Sequence, residues 1–339
     1  MFESNECTMG TAVPSKRCAT PVHEDVARRP SDKRRRFSTP PSKDPDSVMR
    51  ENIAGVLGCS ENEIRDIRPI GEGMTNLTFH FATDSGEYVY RHPGAGSDEI
   101  TDRTSEVEFQ KLACELGIDC TFIHEDNEAG WKVSRYVANA RYLDYHDWDE
   151  VGRACAMLRK LHESGARCGA AKDMHEDTLK MLELLSDGEK ARIEDFAELL
   201  SLAGKLNDVA MANGARLVPC HNDFYDRNFL VADGEMDLID WEFAGMSDYA
   251  SDLAVFIACC PDYSYEQALQ VFEQYFGQPL TREELIHCVA YSAVVSFHWL
   301  VWALYKDETG DPVGEFLDYY YRYTKMFGAK ARELCGGAL

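Results

Sequence analysis

The sequence predicts an α+β protein with a two-lobed fold, in which a small antiparallel β-rich N-lobe precedes a large, mainly helical C-lobe. Between residues 63 and 91, short runs of alternating apolar and polar residues are separated by glycine turns, a pattern typical of antiparallel strands. Beyond Asp149, apolar residues recur mainly at helical spacing. The 339 residues are enough to build two lobes with a substantial core.

The first 47 residues differ in composition from the rest of the chain. Half of the 12 prolines lie here and large apolar residues are few, so we expect residues 1–47 to form a disordered arm. The arm is mildly basic, with 9 Lys and Arg against 7 Asp and Glu. A solvated tail is the favoured interpretation of its Lys33-Arg34-Arg35-Arg36 cluster, and a signal for nuclear import or an anionic surface is the alternative.

The N-lobe, residues 48–137, is predicted to begin with a helix, because Met49, Ile53 and Val56 lie at helical spacing. Strands are predicted over 63–70, 77–82 and 88–91, with a glycine-rich loop between the first two. A helix over 106–116 is expected to end at Gly117, and a further short strand spans 131–137. These elements form an antiparallel hairpin with a glycine loop at its head.

The C-lobe, residues 138–339, is predicted to contain helices over 151–162, 178–185, 191–206, 265–276, 282–305 and 313–327. Two short strands, 229–231 and 236–239, are joined by an Asp233-Gly234 turn. The segment 285–305 has no formal charge and is long enough to span a membrane, but its histidines and serines favour a buried helix instead. We therefore expect no membrane span.

The charge of the chain excludes some functions. There are 35 Lys and Arg against 59 Asp and Glu, a formal net charge of −24. This charge speaks against nucleic-acid binding over the whole surface and would attract a cationic ligand. The 12 cysteines contain no CxxC pair and no apolar signal segment follows Met1, so we expect reduced thiols and a cytoplasmic location.

Acidic and amide side chains that suit phosphate chemistry recur between residues 220 and 242. The Asp233-Gly234 turn would place Asn228 and Asp240 together at the open end of a hairpin. Carboxylate and amide oxygens are suitable ligands for Mg²⁺. Asp223, five residues before Asn228, would then face an incoming hydroxyl group.

Two motifs carry a resemblance to a known family. His221-Asn222-Asp223 with Asn228 resembles the catalytic loop of the choline and ethanolamine kinase family, and Ile239-Asp240-Trp241-Glu242 resembles its metal-binding motif. The resemblance covers most of residues 48–328 and is closest to the choline kinase branch, with bacterial choline kinases and aminoglycoside phosphotransferases nearby. It implies a protein-kinase-like fold and the use of ATP with Mg²⁺.

The resemblance assigns roles to these residues. Asp223 is the catalytic carboxylate that orients the acceptor hydroxyl, and His221 braces the catalytic loop by hydrogen bonding. Asn228 and Asp240 hold Mg²⁺. Glu242 is a candidate for the substrate side of the site, and an ordinary exposed acidic residue is the alternative.

The same resemblance implies a nucleotide site in the N-lobe. The segment that contains Gly71, Gly73, Thr75 and Asn76 resembles a phosphate-binding loop, in which backbone N–H groups approach the nucleotide. Arg91 stands where protein kinases have a lysine, as in choline kinases, and would bind phosphate oxygens. The acidic partner of Arg91 is expected to be Glu106, with Glu108 as the alternative, and residues 131–140 are expected to contact adenine.

Aromatic residues near the C-terminus are candidates for the acceptor site. Trp299 and Trp302 share one helix face, and Tyr319 follows on the next predicted helix. Such a pair is usually core packing, but choline kinases have a similar Trp-x-x-Trp and a later Asp-Tyr, and aromatic faces attract quaternary ammonium. The resemblance adds Tyr263. The family's acid shortly before that tyrosine is replaced here by the Cys259-Cys260 region.

The predicted function is an ATP- and Mg²⁺-dependent choline kinase that makes phosphocholine, for phospholipid biosynthesis or for decoration with phosphocholine. An ethanolamine kinase is the near alternative. Ethanolamine keeps three N–H donors, so its site should be richer in carboxylates and amides than in tryptophans, and the tryptophan pair favours choline. An aminoglycoside-type phosphotransferase would need an open acidic cleft, which the tryptophan pair disfavours. A catalytically silent nucleotide-binding module is the non-enzyme alternative. The oligomeric state is left open.

Overall fold

The computed structural model describes residues 45–70, 76–93 and 103–337 and divides them into two lobes. The helices of this part are α1 (Pro45–Leu57), α2 (Arg103–Glu115), α3 (Trp148–His162), α4 (Met174–Leu184), α5 (Asp187–Lys190), α6 (Phe196–Ala212), α7 (Ala250–Cys259), α8 (Tyr265–Phe276), α9 (Arg282–Glu308) and α10 (Phe316–Leu334). The strands are β1 (Arg65–Pro69), β2 (Asn76–Thr83), β3 (Gly86–Pro93), β4 (Phe122–Glu125), β5 (Lys132–Arg135), β6 (Leu217–Cys220), β7 (Phe229–Ala232), β8 (Glu235–Leu238) and β9 (Gly245–Asp248). The predicted α+β class is confirmed.

The N-lobe is a five-stranded antiparallel sheet in the order β1-β2-β3-β5-β4. Strands β2 and β3 form the predicted hairpin, with Thr78 opposite Arg91. Helix α1 packs on the sheet, where Ile53 shares a small core with Phe81 and Val133. Helix α1 begins at Pro45, so the last residues assigned to the disordered arm are helical. The rest of the arm lies outside the described residues.

The C-lobe is built around α9. This helix is buried along most of its length and packs against α4, α6, α7 and α10. It is the helix of the described part that is long and apolar enough to cross a membrane, but 83% of its apolar window is buried inside the protein. Such a helix is typical of a core, as its histidines and serines predict.

Several elements of the described part were not predicted. Strands β4, β6 and β9 have four residues each, too few to show a clear alternation. Helix α7 is buried on every side, so its apolar residues have no helical period. Helix α5 ends at Lys190, just before the predicted helix 191–206, and α6 begins only at Phe196 and extends to Ala212.

Two short antiparallel strand pairs in the C-lobe bring distant segments together. Strand β6 pairs with β9, with Cys220 opposite Gly245, and β7 pairs with β8, with Phe229 opposite Leu238. The loops 221–228 and 239–244 therefore lie side by side, because each of them connects the β6–β9 strand pair to the β7–β8 pair. The second loop faces the N-lobe sheet, because Arg91 of β3 contacts Asp240 and Glu242 in it.

Candidate active site

The loop that follows β6 is held by a buried carboxylate. Asp252 of α7 accepts hydrogen bonds from the backbone N–H groups of His221 at 3.0 Å and Asn222 at 2.5 Å. His162 of α3 lies 3.0 Å from the same carboxylate. Asn222 has a φ of 62°, in the left-handed region that a non-glycine residue rarely adopts. The bonds from Asp252 stabilise this turn, which directs the next residue toward the cleft.

His221 connects the two loops of the site. It is buried, and its Nε2 group donates to the backbone carbonyl of Ile239 at 3.0 Å, while Nδ1 accepts from the N–H of Asp223 at 3.2 Å. Burial lowers the pKa of the imidazole, in keeping with a neutral ring. The edge of the ring also packs on Trp241. This geometry fits the bracing role predicted for His221.

Asp223 and Asn228 form a pair within the first loop. The Nδ2 group of Asn228 donates to both the backbone carbonyl and the Oδ2 atom of Asp223, each at 2.8 Å. Burial raises the pKa of Asp223 to about 8, and the charges of Asp240 and Glu242 add to this shift. A cation brought into the site would lower that pKa again.

The donor set beside Asp223 fits Mg²⁺. Because both bonds of the Asn228 amide use Nδ2, its Oδ1 atom is left to act as a ligand. Asp240 follows β8 with a φ of 68°, and the backbone N–H of Ile239 donates to the carbonyl of Asn228 at 2.9 Å. The carboxylate of Asp240 and the amide oxygen of Asn228, near a second carboxylate, that of Asp223, are hard ligands of the kind that Mg²⁺ accepts.

Arg91 links the N-lobe to these carboxylates. Its guanidinium bonds Asp240, donates to Oε2 of Glu242 at 3.0 Å and lies 3.6 Å from Oε1 of Glu106. Glu108, the alternative partner, instead accepts from the backbone N–H of Gly169 at 2.7 Å. Burial raises the pKa of Glu242 to about 7, with Asp240 as the next cause. Glu242 is therefore a partly buried ion-pair partner of Arg91 and not an exposed surface acid.

The glycine-rich loop of the predicted nucleotide site mostly lies outside the described residues. This applies to Gly71, Gly73 and Thr75. Asn76 begins β2, where its backbone pairs with Pro93. The roles predicted for these four residues stay predictions.

Lys132 is a charged group that sequence reasoning missed. It lies on β5, and its Nζ atom is 2.8 Å from Oε1 of Glu106, 2.9 Å from Oε1 of Gln110 and 3.4 Å from Oε2 of Glu125. Its side chain is 8% exposed. A short strand in which both Lys132 and Val133 are buried has no alternation that could have identified an inward-facing lysine.

The two predicted tryptophans pack against each other in the C-lobe. The rings of Trp299 and Trp302 meet edge to face with centroids 5.1 Å apart. Phe243 and Tyr320 approach Trp299 at 6.0 Å and 6.1 Å. Trp299 is 5% exposed and Trp302 is half-buried, with the ammonium of Lys306 5.9 Å from its ring centroid. We call Phe243, Trp299, Trp302 and Tyr320 the aromatic cluster.

The aromatic cluster is tied to the loop that carries Asp223. The backbone carbonyl of Phe243 accepts from Nδ2 of Asn222 at 3.1 Å, which connects the cluster to the loop 221–228. Tyr320 also lies 3.7 Å from Sγ of Cys259. Burial raises the pKa of Tyr320, and the charge of Asp223 contributes to the same shift. Sequence reasoning named Tyr319, but it is the next residue, Tyr320, that faces Trp299.

Tyr319 and Tyr263 lie away from the aromatic cluster. Tyr319 lines a pocket of about 400 Å³ beside Cys259 and Phe316, and its hydroxyl donates to Glu315 at 2.8 Å. Tyr263 is buried behind this pocket, and its hydroxyl donates to the backbone carbonyl of Tyr145 at 2.5 Å. Tyr263 therefore does not line the pocket, although its ring packs against Tyr145.

The sequence of residues 66–285 matches the family described as "Phosphotransferase enzyme family". The chain is also similar to protein LicA of Haemophilus influenzae, with 24% identity over 258 residues that cover 72% of this chain and 74% of the relative. The match to the family ends before Trp299. The family match therefore carries no information about the tryptophan pair.

Two solved structures are similar to this one. The choline kinase LicA from Streptococcus pneumoniae gives a TM-score of 0.70 at 23% identity, over 84% of this chain and 99% of that chain. An ethanolamine kinase from Plasmodium vivax gives 0.63 at 17% identity, over 85% of this chain and 95% of that chain. At these identities the likeness establishes the fold, and the predicted kinase-like, two-lobed architecture is confirmed.

Proposed function

The chain belongs to the phosphotransferase enzyme family, and from this premise we propose that it transfers the terminal phosphate of ATP to the hydroxyl group of choline. The observation that carries the proposal is the hydrogen bond between Asn222 and Phe243, which joins the aromatic cluster to the loop that carries Asp223. A carboxylate that can orient a hydroxyl and a set of rings that can bind a quaternary ammonium are the two groups that a choline kinase needs.

Asp223 would orient the choline hydroxyl and accept its proton. Phosphoryl transfer depends on in-line positioning, so the double hydrogen bond from Asn228 that fixes Asp223 supports this role. Asn228 and Asp240 would hold Mg²⁺, which when bound neutralises charge on the phosphates. His221 would keep the loops that carry Asp223 and Asp240 in register through its two backbone hydrogen bonds.

Arg91 would bind the phosphate oxygens of ATP. Its planar guanidinium matches the spacing of two anionic oxygens, and in the described structure it contacts the carboxylates of Asp240 and Glu242. Phosphate oxygens present the same chemistry. Glu106 lies 3.6 Å from the guanidinium on its other side.

The aromatic cluster would bind the trimethylammonium group. Choline has no N–H donors at its cationic end, so ring faces and apolar burial stabilise it better than hydrogen-bond acceptors do. Ethanolamine would leave three donors to satisfy, and Cys259 stands near Asp223 where an acid would suit an ammonium. The formal charge of the chain, −24, would draw the cation to the site. We further propose that the protein acts in the cytoplasm.

The test is ATP consumption by the purified protein with Mg²⁺ and one acceptor at a time: choline, dimethylethanolamine, monomethylethanolamine, ethanolamine or an aminoglycoside. We expect kcat/KM to rise steeply with each methyl group. A preference for ethanolamine or an aminoglycoside would keep the kinase mechanism and overturn the aromatic site. No turnover with any acceptor, together with binding of ATP, would favour a silent nucleotide-binding module.

A further inference from the structure

A buried group of polar side chains lies behind Arg91, on the side away from the metal ligands. It consists of Lys132, Glu106, Gln110 and Glu125, and we call it the Lys132 cluster. The Lys132 ammonium lies at its centre and contacts the other three side chains within 3.4 Å. Helix α2 supplies Glu106 and Gln110, whereas β4 supplies Glu125.

In the described part of the chain, Glu106 pairs with two cations. Its Oε1 atom lies 2.8 Å from Nζ of Lys132 and 3.6 Å from Nη2 of Arg91. Burial alone would raise the pKa of Glu106, but the charge of Lys132 and then that of Arg91 overcome burial and lower it. The shorter contact and the larger influence therefore both belong to Lys132.

This arrangement divides the acidic groups between two cations. Lys132 forms ion pairs with Glu106 and Glu125, while Arg91 forms its two short contacts with Asp240 and Glu242. Without Lys132, the buried charge of Glu106 would have Arg91 as its nearby cation. A buried carboxylate without a partner is costly, so Glu106 would draw the guanidinium away from the cleft.

We propose that Lys132 is a positioning residue for the nucleotide site: by neutralising Glu106 it leaves the Arg91 guanidinium in the cleft, where phosphate binds. The inference rests on the proposed function, because it requires Arg91 to bind the phosphates of ATP. It goes beyond that function, since a strand neighbouring β3 supplies a second cation that never touches substrate.

A purely structural role is the competing explanation. Lys132 joins α2 to the sheet, and Gln110 also bonds Asp119, so loss of the lysine would lower stability in either case. Neutralising Glu106 as well removes the unpaired buried charge, so both explanations predict some recovery of stability. A positioning role predicts a raised Kd at temperatures where K132M is fully folded, and its recovery in the double variant. A structural role predicts a Kd that changes only together with the melting temperature.

The experiment is a double-mutant cycle with Lys132→Met and Glu106→Gln, in which calorimetry measures the Kd for Mg·ATP without an acceptor. We expect K132M to raise the Kd by about tenfold, and the double variant to bind within about threefold of the value measured for E106Q. Lys160, which bonds the backbone carbonyl of Leu116, provides the control K160M, expected to leave the Kd unchanged. Thermal melting reports stability separately.

The outcomes separate the two proposals. A K132M Kd equal to wild type, or a double variant that binds as weakly as K132M, would overturn the positioning role. Wild-type protein that binds no Mg·ATP would overturn both, whereas binding without turnover of choline would overturn only the proposed acceptor. If K132M does not fold, Lys132→Gln replaces it with the same expected order of Kd values, because its amide can still bond neighbouring side chains.

Discussion

The Nη2 group of Arg91 donates to the Oε2 atom of Glu242 at 3.0 Å, across the cleft between the lobes. The two residues are 151 positions apart in the sequence. The same guanidinium also bonds Asp240, so one side chain of the N-lobe contacts both acids of the loop that follows β8. The relative position of the lobes is therefore tied to the groups proposed to bind phosphate and metal.

Replacing Arg91 by lysine should weaken nucleotide binding. A single ammonium cannot reproduce the two parallel contacts of a guanidinium, so we expect the KM for ATP to rise about tenfold in R91K. The KM for choline should change little. Arg65→Lys, on the same sheet but paired with the exposed Asp84, is the matched control. An equal rise in both KM values would show that Arg91 acts through the fold.

Asp223→Asn should abolish most of the phosphate transfer while keeping the fold. Loss of a positioned base typically lowers the rate by about 10²–10⁴-fold, and the Asn228 amide can still bond the backbone carbonyl of residue 223. ADP release measures the rate, and the melting temperature reports on folding. Asp187→Asn, at an exposed position, controls for the loss of one carboxylate. If D223N releases ADP at the wild-type rate, Asp223 has no part in the reaction.

Trp302→Ala should raise the KM for choline by about tenfold and leave the KM for ATP nearly unchanged, because a desolvated ring contributes about 1–2 kcal/mol to cation binding. Trp302→Phe retains a ring and should lie between the alanine variant and wild type. Steady-state kinetics with each substrate varied in turn measures both constants. An equal rise in the KM values for choline and ATP would show that Trp302 packs the core and does not bind choline.

Tyr263→Phe should affect stability more than substrate binding. The Tyr263 hydroxyl donates to the buried carbonyl of Tyr145, so its removal should lower the free energy of unfolding by about 1 kcal/mol. Urea denaturation measures this change. The KM for choline should stay at its wild-type value. A raised KM without loss of stability would instead support the acceptor role predicted for Tyr263 from sequence.

The stability of the protein should fall below neutral pH, in part because of His298. This residue of α9 donates from Nδ1 to the hydroxyl of Thr178 at 2.9 Å, and burial lowers its pKa from 6.5 to about 4. The unfolded chain takes up the proton first. This contribution to stability is therefore intact above pH 6.5 and is lost as the pH falls toward 4, by about 3 kcal/mol in total.

His298→Gln should flatten that part of the pH dependence. We expect the free energy of unfolding, measured with urea between pH 7 and pH 5, to fall by about 2 kcal/mol less in H298Q than in wild type. The exposed His92 provides the control H92Q, which should follow the wild-type curve. Parallel curves for H298Q and wild type would show that His298 is not the titrating group.

The sequence was sufficient to predict that Asn228 and Asp240 lie near each other. They flank the β7–β8 hairpin, whose Asp233-Gly234 turn is recognisable, so their proximity follows from hairpin geometry. The bond from Asn228 then brings Asp223 to the same place. The choice between Glu106 and Glu108 needed the structure, because two residues on one helix point in different directions.

The groups that sequence reasoning missed depend on contacts between distant segments. Lys132 and Asp252 are buried charges whose partners come from other elements, and no local pattern distinguishes them from surface residues. Tyr320 differs from the predicted Tyr319 by one position on α10. That single step turns the ring from a pocket wall to Trp299, and helix phase cannot be read to one residue from spacing alone.

Helix α9, whose segment 285–305 has no charged residue, is made before one of the helices that cover it. It leaves the ribosome before α10, and α10 is one of the helices that cover it in the finished lobe. Until α10 is made, a nascent chain would present a long apolar segment to chaperones and to the machinery that inserts membrane proteins. A premature stop before Phe316 would therefore leave a product prone to aggregation or mistargeting, even though all the proposed catalytic residues had been translated.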